Sequence, residues 1–335
     1  MEYRILGKTG LRVSRMGFGG IPIQKIDAEG TKKLMQELIA AGVNYIDTAR
    51  GYTVSESFLG EALEGIRDKF ILATKSMARD KAGMAKDIET SLTNLRTDHI
   101  ELYQVHNPSL QQLEQVIAPG GALEALQEAR AAGKIGHIGI TAHALDVFEK
   151  ALELPWVETI MFPYNIVETQ AVALIEKCGE KNIGFIDMKP LAGGAIEDAT
   201  LALRFVCSNP HMTVTIPGMA DVSEIHQNVA ACADVSPLTA EEKAAMDKVV
   251  KDLGTVFCRR CNYCQPCAAG INISGVFLFE GYLSRYGLAD WAKGRYATLP
   301  VKASACIGCG ACEKRCPYGL PIRQMLKTAA EKFGE

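Results

Sequence analysis

From about Arg15 to Asn228 short apolar runs alternate with longer stretches in which apolar residues recur every three or four positions. The runs read as strands and the recurring spacing as the buried stripe of a helix. Strand candidates fall at residues 16–19, 43–47, 70–74, 100–105, 135–140, 159–162, 184–188 and 213–216. Leu34, Leu38 and Ile39 share one helical stripe, as do Ile88, Leu92 and Leu95. Eight strand–helix pairs in this span predict an α/β chain folded as a (β/α)8 TIM barrel, with its site at the C-terminal ends of the strands. A doubly wound open sheet competes, but no helix-opening G-x-G-x-x-G follows the first strand. Gly17, Gly19 and Gly20 are therefore expected as turn residues rather than as a phosphate cradle. Ahead of the first strand, residues 3–6 and 11–14 flank Gly7-Lys-Thr-Gly10 as a hairpin that plugs the barrel's N-terminal end. After the last pair, residues 237–253 read as one more helix, opened by the capping box Thr239-Ala-Glu-Glu242. The barrel is thus expected over 1–253 and a smaller domain over 254–335.

Composition narrows the function classes. At 335 residues the chain exceeds what one hydrophobic core usually serves. It is 48% hydrophobic with a formal charge of −3, and no apolar run approaches a membrane span. Its lysines and arginines are scattered, so neither nucleic acid nor a membrane is an expected partner. Met1-Glu-Tyr-Arg-Ile-Leu-Gly-Lys lacks a signal peptide's apolar core, and a reducing, cytoplasmic setting is expected.

Eight of the eleven cysteines lie in the last 80 or so residues, in two runs. The second, Cys306-x2-Cys309-x2-Cys312-x3-Cys316-Pro317, reproduces the bacterial ferredoxin spacing; the first, Cys258-x2-Cys261-x2-Cys264-x2-Cys267, closes with a shorter gap and no proline. Three cysteines two residues apart can wrap a loop around one face of a cubane, and the fourth ligand comes from elsewhere. In two-cluster ferredoxins it comes from the other run, which implies two [4Fe-4S] clusters: Cys258, Cys261 and Cys264 with Cys316, and Cys306, Cys309 and Cys312 with Cys267. Zinc and disulfides are the alternatives. Zinc needs four thiolates rather than eight in triplets, and disulfides do not suit a reducing compartment. Cys178, Cys207 and Cys232 read as small buried side chains.

Polar residues stand at successive strand ends: Asp47, Lys75 and His106, with Tyr52 in the loop after Asp47. Singly, each reads as a cap, a solvated charge or a loop histidine. Together, in Asp47-Thr-Ala-Arg-Gly-Tyr52, Ile71-Leu-Ala-Thr-Lys75 and Leu102-Tyr-Gln-Val-His106, they resemble the catalytic tetrad of the aldo-keto reductase family. The likeness extends through residue 253 or so and includes the N-terminal hairpin, and the C-terminal part is similar to a ferredoxin-like extension found on one branch of that family. The resemblance implies an oxidoreductase that reduces a small-molecule carbonyl, or oxidises an alcohol, with a nicotinamide cofactor. Tyr52 would protonate the carbonyl oxygen, Lys75 held by Asp47 would lower the phenol's pKa, and His106 would orient the substrate.

On the cofactor side the resemblance implies contacts from Thr141, Lys189, Leu191, Gly193, Gly218, Glu224 and Asn228. The family's Ser-Asn pair, Gln and stacking Tyr are here Thr141-Ala142, Met161 and Met188. Glu224 stands where an Arg commonly grips the 2′-phosphate, and with Asp221 it would repel one, so NADH is expected over NADPH. Hydride moves electrons in pairs whereas clusters move them singly. Two other readings follow: a reductase fed by ferredoxin or another one-electron donor, with a flavin as an optional converter, and an electron carrier with an idle barrel.

Overall fold

The computed structural model describes residues 1–254, 256–259, 263–284 and 289–335. The chain divides into two compact units, Met1–Asp247 and Lys248–Glu335.

The first unit opens with a hairpin, β1 (Tyr3–Ile5) against β2 (Arg12–Ser14). Then follow β3 (Phe18–Gly19), α1 (Ala28–Ala40), β4 (Tyr45–Asp47), α2 (Ser55–Ala62), β5 (Ile71–Ser76), α3 (Lys81–Asn94) and β6 (Ile100–His106). Next come α4 (Leu110–Ile117), α5 (Ala122–Ala131), β7 (Ile135–Thr141), α6 (Leu145–Ala151), β8 (Thr159–Pro163) and α7 (Val172–Glu180). The unit ends with β9 (Gly184–Met188), α8 (Ala199–Ser208), β10 (Val214–Ile216) and α9 (Val222–Ala233), and α10 (Ala240–Leu253) spans the division between units. Strands β3 to β10 form one parallel sheet in sequence order, and bridges Met16–Thr215 and Gly19–Gly218 bring its edges together. Gly19 N donates to Pro217 O at 3.0 Å and Thr215 N to Arg15 O at 3.0 Å, which completes a (β/α)8 barrel.

Each expected strand is present, with shifted ends. β5 and β6 run on to Ser76 and His106 because their ladders continue, Ser76 opposite Val105 and His106 opposite Thr141. Lys75 and His106 are therefore strand residues, held more rigidly than loop residues would be. Of the three glycines expected in turns, Gly19 lies in β3, Gly20 precedes the helical turn Ile21–Lys25, and none of Gly17, Gly19 and Gly20 has a positive φ. A Cβ on Gly19 would lie 2.8 Å from Ile216 O, so a missing side chain lets the first strand approach the last.

Side chains alternate across the barrel wall. Ile46, Leu72, Tyr103, Val105, Ile138, Phe162 and Phe185 face outward into the layer shared with the helices. Tyr45, Ala73, Leu102, Met161, Ile186 and Val214 face inward, where Leu6 and Val13 of the hairpin join them from below. The hairpin is fixed there by Lys8 N, which donates to Asn182 O at 2.7 Å. Helix starts follow the expected chemistry: Asp221 and Glu224 form a reciprocal cap on α9, and Thr239 and Glu242 do so on α10.

The second unit contains α11 (Ile273–Ser284), α12 (Ala289–Ala297), α13 (Ala311–Lys314) and α14 (Ile322–Phe333). Its own core gathers Ile271, Ile273, Val276, Phe277, Leu320 and Leu326 around Cys264 and Cys312. Among the described residues no helix is long and apolar enough to cross a membrane.

Candidate active site and cysteine cavity

Period-two alternation sends Asp47, Lys75, Gln104 and His106 to the interior face at the C-terminal end of the barrel. Lys75 is 1% exposed and Asp47 2%. The Lys75 ammonium donates to Asp47 Oδ1 and, at 2.8 Å, to Thr48 O. Gln104 Nε2 donates to Asp47 Oδ2 at 3.1 Å, so both carboxylate oxygens are engaged. Burial opposes the lysine's charge, but Asp47 and Tyr52 outweigh it and hold the ammonium above its ordinary range. Burial likewise raises the Asp47 carboxyl, against the pull of Lys75 and Gln104.

Tyr52 comes to this pair on the loop after β4. Lys75 Nζ lies 4.9 Å from its ring centroid, close enough for the ammonium to act on the phenol. Here the structure corrects one expectation. Lys75 does pull the phenol's pKa down, but burial acts first and Asp47 adds to it, so the group titrates above its ordinary value. Tyr52 is a neutral O–H that retains its proton at neutral pH. His106 completes the group, edge-on to Tyr52 with centroids 6.3 Å apart. Burial, then Lys75, Arg79 and Lys189, push its imidazole down to about 3, so it is uncharged and keeps one N–H to donate.

The loop that carries Tyr52 is anchored from behind the sheet. Glu56 on α2, 1% exposed, accepts from Thr74 Oγ1 and Ser91 Oγ at 2.8 Å each and pairs with Arg50. Arg50 N in turn donates to Lys75 O at 3.0 Å. A lone glutamate on a helix reads as solvated, and the sequence carried no sign of this anchor. Gln104 was findable: it lies two residues before His106 and so shares its face.

The residues expected to hold a dinucleotide do not gather in the same way. Thr141 Oγ1 accepts from Asn107 N at 3.0 Å, and Met161 is part of the apolar interior with Met188 against it. These positions present no carboxamide clasp. Lys189 turns to His143, its Nζ 2.9 Å from Nε2. In the Lys189–Gly194 loop, Ala192 N and Gly194 N already donate to Lys189 O and Leu191 O; Leu191 and Gly193 are half-buried. Gly218 is explained by packing, since a Cβ there would meet Pro22 Cγ at 2.8 Å. Glu224 is exposed and Oε2 accepts from Ala220 N and Asp221 N, while Asn228 is buried.

In the second unit Cys267, Cys306, Cys309 and Cys312 line one pocket, together with Arg315 and Arg323. Gly308 and Gly310, at φ +71° and +73°, let the loop wrap it, as a cubane's three-thiolate face requires. Arg315 donates to Cys264 O at 2.8 Å and to Pro266 O at 2.7 Å, tying the two cysteine runs together. Cys258 and Cys316 pack against the same apolar core, and Cys261 lies outside the described residues. The donor set, four thiols lining one pocket, is the kind an iron–sulfur cluster takes, although among the described residues no three such groups converge on a single-ion site. Of the remaining cysteines, Cys178 is pushed up to about 12 by burial. Cys207 and Cys232 hydrogen-bond each other across α8 and α9, a neighbourhood the sequence did not reveal.

Comparison with known proteins agrees with both halves of this arrangement. Residues 15–200 match the family model described as Aldo/keto reductase family, and residues 257–320 match that of a 4Fe-4S dicluster domain. The chain is 28% identical over 313 residues to L-galactose dehydrogenase of Arabidopsis thaliana, covering 76% of this chain and 96% of the relative. It is 34% identical over 189 residues to aldo-keto reductase YhdN of Bacillus subtilis, covering 51% and 56% of the two chains. The holo structure of aldo-keto reductase AKR11C1 from Bacillus halodurans superposes with a TM-score of 0.65 at 26% identity, over 74% of this chain and 96% of that one. With the family model matched over more than half its length, the chain belongs to the aldo/keto reductase family and is an oxidoreductase whose barrel is followed by a 4Fe-4S dicluster domain.

Proposed function

We propose that the protein interconverts a carbonyl and an alcohol on a small molecule held at the C-terminal mouth of the barrel. The supporting observation is the buried Lys75–Asp47 pair set against a protonated Tyr52, with an uncharged His106 facing it. In the reducing direction, negative charge develops on the carbonyl oxygen. Tyr52 gives that oxygen its proton, and the Lys75 ammonium stabilises the phenolate left behind. His106 donates its N–H to the same oxygen and fixes the angle of the substrate. Asp47 and Gln104 keep the ammonium in place. Similarity to the L-galactose dehydrogenase of Arabidopsis thaliana makes L-galactose a compound to include in the substrate screen.

Nicotinamide cofactors supply hydride in this family. The residues at the expected clasp offer a nicotinamide amide neither the usual donor nor the usual acceptor, so no step is assigned to it. That mismatch favours a second reading, in which a one-electron donor protein such as ferredoxin supplies the reducing equivalents to the cluster domain. In this assignment Cys258, Cys261 and Cys264 with Cys316, and Cys306, Cys309 and Cys312 with Cys267, hold two [4Fe-4S] clusters. If a dinucleotide binds, NADH is favoured over NADPH, because Glu224 stands at the position where the family commonly has an Arg for the 2′-phosphate, and Asp221 adds a second carboxylate. Anaerobic titration with NADH, NADPH and reduced ferredoxin, followed by cluster absorbance and by a carbonyl screen, separates the readings. Carbonyl turnover abolished by Tyr52→Phe supports the tetrad; turnover untouched by that change refutes it.

A further inference from the structure

Three side chains with no part in the proposed proton transfer meet over the mouth of the barrel. Lys189 Nζ lies 2.9 Å from His143 Nε2, and His143 Nδ1 lies 2.9 Å from Asn107 Oδ1. An ammonium has only hydrogens to give, so Nε2 must be the bare nitrogen. The ring proton then resides on Nδ1 and is donated to the Asn107 amide oxygen. A single lysine thereby sets both the tautomer of His143 and the atom of Asn107 that faces it. His143 is 8% exposed, and burial together with Lys189 keeps its imidazole neutral.

The backbone shows that this convergence is built into the fold. Ile186 faces the barrel interior and Asp187, bonded to Thr215 Oγ1, the opposite side; Met188 returns to the interior. Strict alternation would send Lys189 outward after it. Instead Lys189 takes φ +60°, with its carbonyl held by Asn165 Nδ2 at 3.0 Å. Asn107, the residue after His106, takes φ +52°, and its N–H is held by Thr141 O and Thr141 Oγ1 at 3.0 Å each. A left-handed conformation costs a residue with a Cβ roughly 1 kcal/mol or more and persists where the surroundings impose it. Both turns aim a side chain at His143 that regular strand geometry would point elsewhere. In sheet order β8 lies between β7 and β9, so the Lys189–His143 bond reaches over the end of an intervening strand.

The geometry points to a positioning role for Lys189: acting through His143 and Asn107, it fixes the end of β6 and so the placement of the His106 imidazole. The inference rests on reading His106 as the group that orients the carbonyl. The groups that face His106 are Lys75 of β5, Arg79 beyond it, Tyr52, His143 and Lys189 itself. Arg79 also donates to His106 O at 2.7 Å. Lys189 therefore has a second effect, as one of three cations that oppose protonation of this ring.

The test is made on the resting holoprotein, without substrate, by nitrogen-15 spectra of the histidine rings across the acid range, with His106→Asn to assign that signal. In the unaltered protein His143 shows the Nδ1–H tautomer and His106 titrates at about 3. Lys189→Met should release the tautomer of His143 and move the midpoint of His106 upward, and Lys189→Arg should restore both. His143→Gln removes the link without removing a cation, and should shift the His106 ring signals while leaving its midpoint low. If Lys189→Met leaves both histidines unchanged, or if His143→Gln leaves the His106 signals as they were, the positioning role is wrong. No turnover is measured, so these outcomes are independent of whether the tetrad reduces a carbonyl.

Discussion

Tyr52 and His106 stand edge to face, their ring centroids 6.3 Å apart at an interplanar angle of 88°. That spacing leaves room for one oxygen atom to receive a hydrogen bond from each ring. Lys75 lies 4.9 Å from the Tyr52 ring centroid and also opposes protonation of His106, so the two donors are not equivalent. The ammonium stabilises the phenolate that Tyr52 would leave behind, whereas His106 stays neutral and keeps its N–H.

Replacing Tyr52 by Phe retains the ring and removes the phenolic hydroxyl beside the ammonium. Turnover of the substrate found by screening should fall about 100-fold or more, the usual worth of a general acid. Lys75→Met should cost a similar factor, and the double variant little more than either, because the pair acts as a unit. Steady-state rates of the three variants, with circular dichroism to confirm the fold, check this.

The cysteine domain should bind about eight iron and eight acid-labile sulfide per chain, two cubanes at four thiolates each. Cys309→Ser should reduce both by about half and leave the helicity of the barrel intact, since the two units have separate cores. Metal analysis that returns zinc, or four iron in the unaltered protein, would overturn the two-cluster assignment.

Acid should destabilise the barrel through its buried histidines. The folded-state value of His106 is about 3 against 6.5 for the free side chain, and His143 is also well below 6.5. Below pH 6.5 the unfolded chain takes up protons that the native state refuses, so stability falls as pH drops from 6.5, through His106 down to about pH 3 and no further, and through His143 by the same sign. The loss is up to about 1.4 kcal/mol per pH unit for each histidine. Urea midpoints measured across this window should show the slope, and His106→Asn should flatten it.

Glu56→Ala should destabilise the first unit by about 1–3 kcal/mol, because it leaves the buried Thr74 and Ser91 hydroxyls without this acceptor and Arg50 with Asp87 alone. Thermal melts give the magnitude. Activity should fall further than stability alone requires, since Arg50 is bonded to the backbone of Lys75.

Much of this architecture was legible in the alternation of apolar and polar positions, because parallel strands buried on both faces must be apolar and must be joined by amphipathic helices. Asp47, Lys75 and His106 were legible for a related reason: polar residues at the ends of such strands have no solvation rationale. The Lys189–His143–Asn107 link was not. It depends on two left-handed residues, and no local pattern announces that a lysine or an asparagine will adopt that conformation. The direction of the Tyr52 shift was misjudged because the sequence shows which charges are near a phenol but not how deeply it is buried. The shared cavity of Cys267 with Cys306, Cys309 and Cys312 lay implicit in the ferredoxin spacing.

The hairpin below the barrel has a kinetic corollary. Leu6 and Val13 are fully buried beneath the inward-facing side chains, so the barrel interior is packed and the site is a well at its mouth rather than a tunnel through it. Traffic to the tetrad is confined to one doorway, and a product must clear the path before the next reactant can approach. For such a well, release and admission are mutually exclusive events, and a slowly departing alcohol would itself act as a competitive inhibitor of the carbonyl that follows.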